Sequence, residues 1–423
     1  MHEPDLRLAG ELLNGLHARG IHYDLDAMRA ALAARGHPER RFPSLIIAGT
    51  NGKGSTAALL YWMLRRLGYR VGLYTSPHLI DVRERIRIEG MIPAETLARW
   101  ILAYEAGGLL STLTYYEALT LAALDWFAEE QVEWAILEVG VGGRLDAVNL
   151  APASGAVITS IDFDHKEILG DTLAKIAFEK AGVIKESRPL VLGDVPAAAG
   201  EVIENAARER GAPIYRAGQA FTVQPSGAGF VYEGLGQFVA PRLGLRGAYQ
   251  GENLGCALGA LERIVGIDAA SGAEALRATL AEAVWPGRFQ RVGERPFVLV
   301  DSAHNPAGAR ALVNAFRAAY GGVSPQLVFA AFADKDHNAE LAALRALGDR
   351  VWLTTIPAQS RGATIQQLQA DPALAGAAVE VVPPETLHAR IRGGSPDETY
   401  LVTGSIAFVG WFLEQWDPAL ARM

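Results

Sequence analysis

Short apolar runs that alternate with helical repeats constrain this chain more than any other feature. "SLIIAG", "RVGLYT", "WAILEVG", "SGAVITSI" and "RPLVLG" are rich in Val, Ile and Leu and are bounded by Gly, Pro or Ser. Runs apolar at every position, rather than at alternate ones, suit strands covered on both faces. Between most of them lie helical patterns. "STAALLYWMLRRLG", "ETLARWILAYEAGG" and "YYEALTLAALDWFAEEQ" repeat apolar residues at helical spacing, the first closing on Gly68 as a C-cap. This alternation predicts a doubly wound α/β domain.

The pattern changes at "YRAGQAFTVQPSGAGFVYEGLGQFVAPRLGLRGAYQGEN", which is rich in Gly and aromatics and poor in helical repeats. It reads as a small antiparallel sheet inserted late in the first domain. After "WPGRFQRVGERP" the α/β alternation restarts with "FVLVDSAHNPAGARALVNAFRAAYGG", "QLVFAAFADKD", "RVWLTTIPA", "VEVVPP" and "TYLVTGSIAFVGWFLEQW". A domain boundary is therefore expected near residue 294. It separates a first domain over 1–293 from a smaller C-terminal α/β, Rossmann-like domain over 294–423. A chain of 423 residues has room for two or three domains.

Bulk properties exclude several function classes. Half of the residues are hydrophobic and a fifth are charged, an ordinary globular composition. No run reaches the roughly 18 apolar residues of a membrane span, and "MHEPDLRLAG" lacks a signal peptide's charged-then-apolar plan, so a cytoplasmic location is expected. The single cysteine, Cys256, reads as an inert core thiol. A formal charge of −8 argues against broad binding to nucleic acid or acidic membrane. Any anionic substrate must be held by local basic groups.

Such groups gather around "AGTNGKGSTAALL". A Gly-rich turn from a strand into a helix aims backbone N–H groups at whatever sits on the helix N-terminus. Gly49, Thr50, Asn51, Gly52, Lys53, Gly54, Ser55 and Thr56 there form a nucleotide-phosphate loop with Lys53 as its point charge, spelled differently from the common G-x-x-x-x-G-K-[ST]. A phosphate loop needs a metal, and other strands end in polar residues. "YTSPHL" brings Ser76 and His78, "WAILEVGVGGRLDAVN" brings Glu138, and "ITSIDFDHKEILGDTLAKIAFEKAGVIK" brings Asp162, Asp164, His165 and a helix with Glu179 and Lys180. An acid at the end of an apolar strand beside a phosphate loop suits Mg²⁺ coordination. Each of these residues alone would pass for a turn or a cap.

Together, "GTNGKGS", "TSPHL", "LEVGVGGRLDAVN", "DHKEILGDTLAKIAFEKAGVIK" and "DSAHNPAGA" resemble, in order and spacing, the folylpolyglutamate synthase and dihydrofolate synthase family of the Mur ligase superfamily. The resemblance runs from "YDLDAMRAAL" to "LVTGSIAFVGW". It implies that Lys53 and the loop hold the ATP phosphates, with Ser55 or Thr56 near a first Mg²⁺. It further implies that Ser76, Glu138 and His165 bind metal, and that Lys180 is carbamylated to face a second Mg²⁺. Asn253, Arg288 and Asp301 match positions around adenine, phosphate and ribose, and His304 and Asn305 lie beside the nucleotide. An N-cap before Pro306 would also explain Asn305. For the pterin, the resemblance implies Tyr116, Glu117, Asp146 and Ala147, with Tyr116 standing where the family often has Phe. Arg83, Arg85 and Arg87 alternate as if along one strand face, either to attract carboxylates or as a solvated edge. "ADKD" at 333–336 is a candidate for the glutamate pocket or the domain seam.

The activity so implied is ATP-driven amide formation, in which a carboxylate is phosphorylated to an acyl phosphate and then attacked by the amine of L-glutamate. No covalent enzyme nucleophile is required, and closure around "RFQRVGERP" is expected to complete the site. The acceptor that the resemblance implies is 7,8-dihydropteroate together with reduced folates. Folylpolyglutamate synthesis alone, or another Mur-type acceptor, remains the alternative, and a non-catalytic nucleotide switch ranks last. The partners expected are small molecules and not nucleic acid or membrane, and the chain is expected to be a monomer.

Overall fold

The computed structural model describes residues 3–20, 22, 24–227 and 229–421; Met1, His2, Tyr23 and Ala228, which fall in stretches quoted above, lie outside them. Two compact units divide the chain. The first comprises the residues up to Ser76, Arg83–Arg242 and Glu252–Glu282, and the second comprises Pro77–Val82, Leu243–Gly251 and the chain from Ala283 onward.

The first unit holds a seven-stranded sheet built from β1 (Ser44–Ala48), β2 (Val71–Tyr74), β3 (Ile86–Arg87), β4 (Trp134–Glu138), β5 (Gly155–Ile158), β6 (Leu190–Leu192) and β7 (Ile214–Arg216). Their spatial order is β3-β2-β4-β1-β5-β6-β7, parallel throughout except for β3. Every residue of β1, β2, β5 and β6 is buried, as fully apolar runs require when helices cover both faces. The chain moves from β1 to one side for β2 and β4, then to the other for β5, so the strand order reverses around β1. In open α/β sheets the crevice at such a reversal, beyond the carboxyl ends, is the ligand site. Register aligns those ends: Ile47 lies opposite Glu138, Ala48 opposite Ile158, and Tyr74 opposite Leu137.

A three-stranded antiparallel sheet follows, β8 (Thr222–Ser226), β9 (Gly229–Glu233) and β10 (Gln237–Ala240), in the order β10-β9-β8. It is the small sheet expected from the Gly- and aromatic-rich region.

The second unit contains β11 (Gln290–Glu294), β12 (Phe297–Val300), β13 (Gln326–Phe329), β14 (Arg350–Leu353), β15 (Ala378–Val381) and β16 (Thr399–Thr403), ordered β11-β12-β16-β13-β14-β15. Its alternation has period two. Leu299, Leu327, Phe329, Val351, Leu353 and Leu401 face one core with Leu312 and Phe316, while Val298, Val300, Val328, Trp352 and Val402 face another with Phe408 and Phe412.

Two sequence expectations change. The "RFQRVGERP" stretch, around which closure is expected, is largely β11, because Gln290–Glu294 finds backbone partners along β12; the division expected near 294 thus falls inside the second unit, which takes up the chain from Ala283. Arg83, Arg85 and Arg87 do not share a strand face. Val82–Arg85 forms a 3-10 turn and only Arg87 lies on β3, where its Nε bonds the Glu84 carbonyl at 3.0 Å, while Arg85 stacks over the Tyr115 ring at 5.5 Å.

Candidate active site

The glycine-rich loop leaves β1 at its carboxyl end and enters the helix Lys53–Arg66. Two glycines are required by close approach as well as by backbone angle. Gly49 has φ +147°, and a Cβ there would lie 2.0 Å from Thr159 Oγ1. Gly52, the helix N-cap, has φ +85°, and its Cβ would lie 2.1 Å from Asn253 Oδ1. Asn253 therefore sits directly against the loop. The adjacent end of β5 fixes the loop's shape: Thr159 Oγ1 donates to the Asn51 carbonyl at 2.6 Å, and Asn51 N donates to Ser160 Oγ at 3.0 Å. Thr50 N donates to the Ser160 carbonyl at 2.8 Å, and Thr50 Oγ1 bonds the Asp162 backbone at 3.0 Å. Ser55 and Thr56 are buried in the first helical turn, with Thr56 Oγ1 bonding the Asn253 carbonyl at 3.4 Å.

Two lysines converge on one backbone oxygen. Lys53 Nζ donates to the Gly49 and Thr50 carbonyls at 3.1 and 3.0 Å, and Lys180 Nζ donates to the Gly49 carbonyl at 2.8 Å. Lys180 is buried, and desolvation, helped by the Lys53 charge, lowers its pKa to about 7, while Asp164 and Asp146 pull the other way. Glu138 is buried at the end of β4, where its Oε2 accepts from Ser76 N at 3.0 Å. His165 adopts a left-handed backbone, φ 48°, at the start of the helix Lys166–Leu169. Its N–H donates to Asp164 Oδ1 at 2.9 Å, and its Nε2 stands 3.9 Å from the same oxygen.

The candidates for the pterin lie along the neighbouring loop. Asp146 is buried with both oxygens occupied: Oδ1 accepts from Tyr116 OH at 3.0 Å and Val148 N at 3.1 Å, and Oδ2 from Gly140 N at 2.8 Å and Val141 N at 3.2 Å. Burial outweighs these bonds and raises its pKa to about 6. The hydroxyl that Tyr116 carries in place of Phe thus finds its partner in Asp146. Ala147 opens the 3-10 turn that Asp146 caps. Glu117 is turned inward to its own helix, closing a capping box with Thr114, and its Oε2 lies 3.0 Å from His22 Nδ1.

In the second unit, Asp301 is buried just past β12. Its Oδ2 accepts from Tyr249 OH and Phe289 N, both at 2.8 Å, and Oδ1 accepts from Ala303 N at 2.8 Å. Burial raises its pKa, and Arg288 opposes that rise. His304 Nδ1 lies 2.9 Å from the Ser302 carbonyl, and Asn305 caps the helix Pro306–Tyr320 by accepting from Gly308 N at 2.8 Å. In "ADKD", Asp334 pairs with Arg361 at 3.0 Å and Asp336 caps the helix His337–Leu344.

Comparison with known families agrees with this layout. The Mur ligase middle domain matches residues 47–261, and the Mur ligase glutamate ligase domain matches residues 287–406. The dihydrofolate synthase/folylpolyglutamate synthase of Escherichia coli is 34% identical over 84% of this chain and 83% of its own length. The chain belongs to the dihydrofolate synthase/folylpolyglutamate synthase family of Mur ligases.

Within that family, a probable bifunctional folylpolyglutamate synthase/dihydropteroate synthase of Haloferax volcanii is 36% identical over 93% of this chain, which spans about half (48%) of that longer protein. The structure of Escherichia coli FolC in complex with DHPP and ADP superposes with a TM-score of 0.86 at 31% identity, covering 98% of each chain. A bifunctional folylpolyglutamate synthase/dihydrofolate synthase with Mn, AMPPNP and L-glutamate bound gives 0.85 at 31% identity, over 96% of this chain and 97% of that one.

Three residues that hold these two regions in shape carry no motif of their own in the sequence. Thr159 and Ser160 were legible only as the end of a strand, although two hydroxyls at a carboxyl edge are themselves a signal. Tyr249 has no local signal, because its partner Asp301 lies 52 residues away.

Proposed function

We propose that this chain joins L-glutamate to 7,8-dihydropteroate and extends reduced folates by further glutamates, driven by ATP. The observation that carries this reading is the convergence of Lys53 and Lys180 on Gly49, with Glu138 at the end of the adjacent strand β4. Family membership and the bound molecules of the related structures, ADP, DHPP, AMPPNP, Mn and L-glutamate, support it.

Lys53 and the helix N-terminus supply positive charge for ATP phosphates. A divalent cation bound near the Glu138 carboxylate and the Ser55 and Ser76 hydroxyls, with His165 as a further donor, would supply charge neutralisation. Oxygen donors suit Mg²⁺ or Mn²⁺. Among the described residues, however, no three His, Cys, Asp or Glu side chains gather at metal-binding spacing, so the set is short of anionic oxygens. Carbamylation of Lys180 would provide two. Its amine, with a pKa of about 7, is substantially neutral at physiological pH, as attack on carbon dioxide requires; the nitrogen bonds the carbon, loses a proton and becomes a carbamate anion.

A carboxylate is a poor electrophile, so the acceptor's carboxylate first takes the γ-phosphoryl group of ATP. The glutamate amine then displaces phosphate from the acyl phosphate. The chain's residues contribute position and charge rather than a nucleophile. Asn253 beside the loop, and Arg288, Asp301 and His304 in the second unit, are the further nucleotide contacts of this reading. This reading assigns the pterin to Tyr116, Asp146 and Ala147, whereas Glu117 is committed to its capping box with Thr114 and to His22.

The test is incubation with ATP, Mg²⁺, L-glutamate and either 7,8-dihydropteroate or tetrahydrofolate, following ADP and product mass. One glutamate added to dihydropteroate and several to tetrahydrofolate is the expected result. Addition to only one acceptor restricts the function to that activity, and addition to neither overturns the folate assignment.

A further inference from the structure

Arg288 stands in a turn held in an unusual backbone. The residues on either side both adopt left-handed conformations, Gly287 at φ +73° and Phe289 at φ +43°. For glycine this is free; for a bulky aromatic it is strained and persists only where the surroundings impose it. Several bonds impose it here. Phe289 is buried and stacks on Tyr320, with ring centroids 6.1 Å apart, and its N–H is held by Asp301 Oδ2 at 2.8 Å. The Gly287 carbonyl accepts from Ser302 N at 2.9 Å, and Gly287 N donates to Gln290 Oε1 at 2.8 Å. Arg288 Nη1 donates to the Gly287 carbonyl at 3.3 Å.

Asp301 is the carboxylate in this arrangement, its oxygens taking Phe289 N, Ala303 N and Tyr249 OH. Tyr249 supplies the one side-chain donor of the three. Burial and the adjacent carboxylate push its phenol well above the usual range, so it remains a donor at any physiological pH. The charge acting on Asp301 is that of Arg288.

We propose that Tyr249 is a positioning residue which, through Asp301, locks the Gly287–Phe289 turn and so presents the Arg288 guanidinium to a nucleotide phosphate. The inference rests on the reading of Arg288 as a nucleotide contact and adds the residue that orients it. Without the Tyr249 hydroxyl, Asp301 loses a hydrogen bond to its charged form and holds Phe289 N less firmly. The strained turn then relaxes and Arg288 samples orientations away from the phosphate.

Tyr249→Phe keeps the ring and removes only the hydroxyl. Two measurements on the full-length protein test it. Amide hydrogen exchange at Phe289 and Ala303 is expected to accelerate about tenfold, with β13 and β14 unchanged. ADP affinity measured by calorimetry is expected to fall about tenfold, and this loss should vanish in an Arg288→Ala background. Unchanged exchange at Phe289 overturns the lock, whether or not nucleotide binds. Faster exchange with a loss of ADP affinity that persists in Arg288→Ala overturns the route through Arg288. If the unsubstituted protein binds no ADP, it is the nucleotide reading that fails, and the exchange data still decide the lock.

Discussion

Replacing Lys180 by Met should make the metal-free protein more stable, by an amount that depends on pH in a specified direction. Lys180 is 4% exposed, and burial first, then the Lys53 charge, lowers its pKa from 10.5 to about 7. At about 1.4 kcal/mol per pH unit, that difference corresponds to a penalty of about 5 kcal/mol for holding the charged amine in the folded state. The folded-state pKa is below the unfolded one, so between pH 7 and 10.5 the unfolded chain binds more protons and stability rises with pH. Below pH 7 the full penalty is present. Met has a stem of similar length and no charge, and the Gly49 carbonyl keeps the Lys53 donor at 3.1 Å. The advantage of Lys180→Met over the unsubstituted protein should therefore shrink by about 3 kcal/mol from pH 6 to pH 9. Urea unfolding in metal-free, carbon-dioxide-depleted buffer, read by hydrogen exchange in β1 and β4, measures it. An advantage that is constant, or that grows with pH, would refute the claim that burial discharges this amine.

Other substitutions probe the same architecture. Gly52→Ala puts a Cβ 2.1 Å from Asn253 Oδ1 at φ +85°, so nucleotide affinity by calorimetry should fall at least about tenfold; an unchanged affinity would remove the loop from the nucleotide site. Glu138→Gln keeps an oxygen for Ser76 N at 3.0 Å while removing the charge, so thermal unfolding should stay within about 1 kcal/mol as Mg²⁺ affinity drops about 100-fold. Equal losses in both would make Glu138 structural. Asp146→Asn gives four donors one acceptor oxygen and an opposing NH₂, which should cost about 2–4 kcal/mol in urea unfolding; a neutral result would mean the loop does not depend on that carboxylate.

Much of the first unit's site was legible in sequence because its parts are local. A strand end, glycines that tolerate positive φ, a lysine and a helix start fall within residues 44–56, and each leaves a mark on the residue types allowed there. Strand type was legible for a similar reason, since full burial of β1, β2 and β5 leaves them small or apolar residues at all positions but Ser44. Arg83, Arg85 and Arg87 were misread because alternation is also compatible with a 3-10 turn. The choice was made by Glu84, whose carbonyl takes Arg87 Nε, and by Tyr115, whose ring takes Arg85. "RFQRVGERP" passed for a domain boundary because Gly, Pro and charge fit either a loop or a twisted edge strand. Only pairing with β12 distinguishes them.

The sequence by itself determined the alternating α/β architecture, the glycine-rich strand-to-helix loop and the set of strand-end residues that identify the family, because backbone sterics and hydrophobic burial act on residues near one another in the chain. The tertiary structure alone decided how the polar groups are used. Lys180 meets Gly49 across 131 residues, Tyr116 meets Asp146 across 30 and Tyr249 meets Asp301 across 52. A buried amine or carboxylate takes its protonation state and its role from the dielectric and the donors around it, and those are supplied by strands and helices that only the fold brings together.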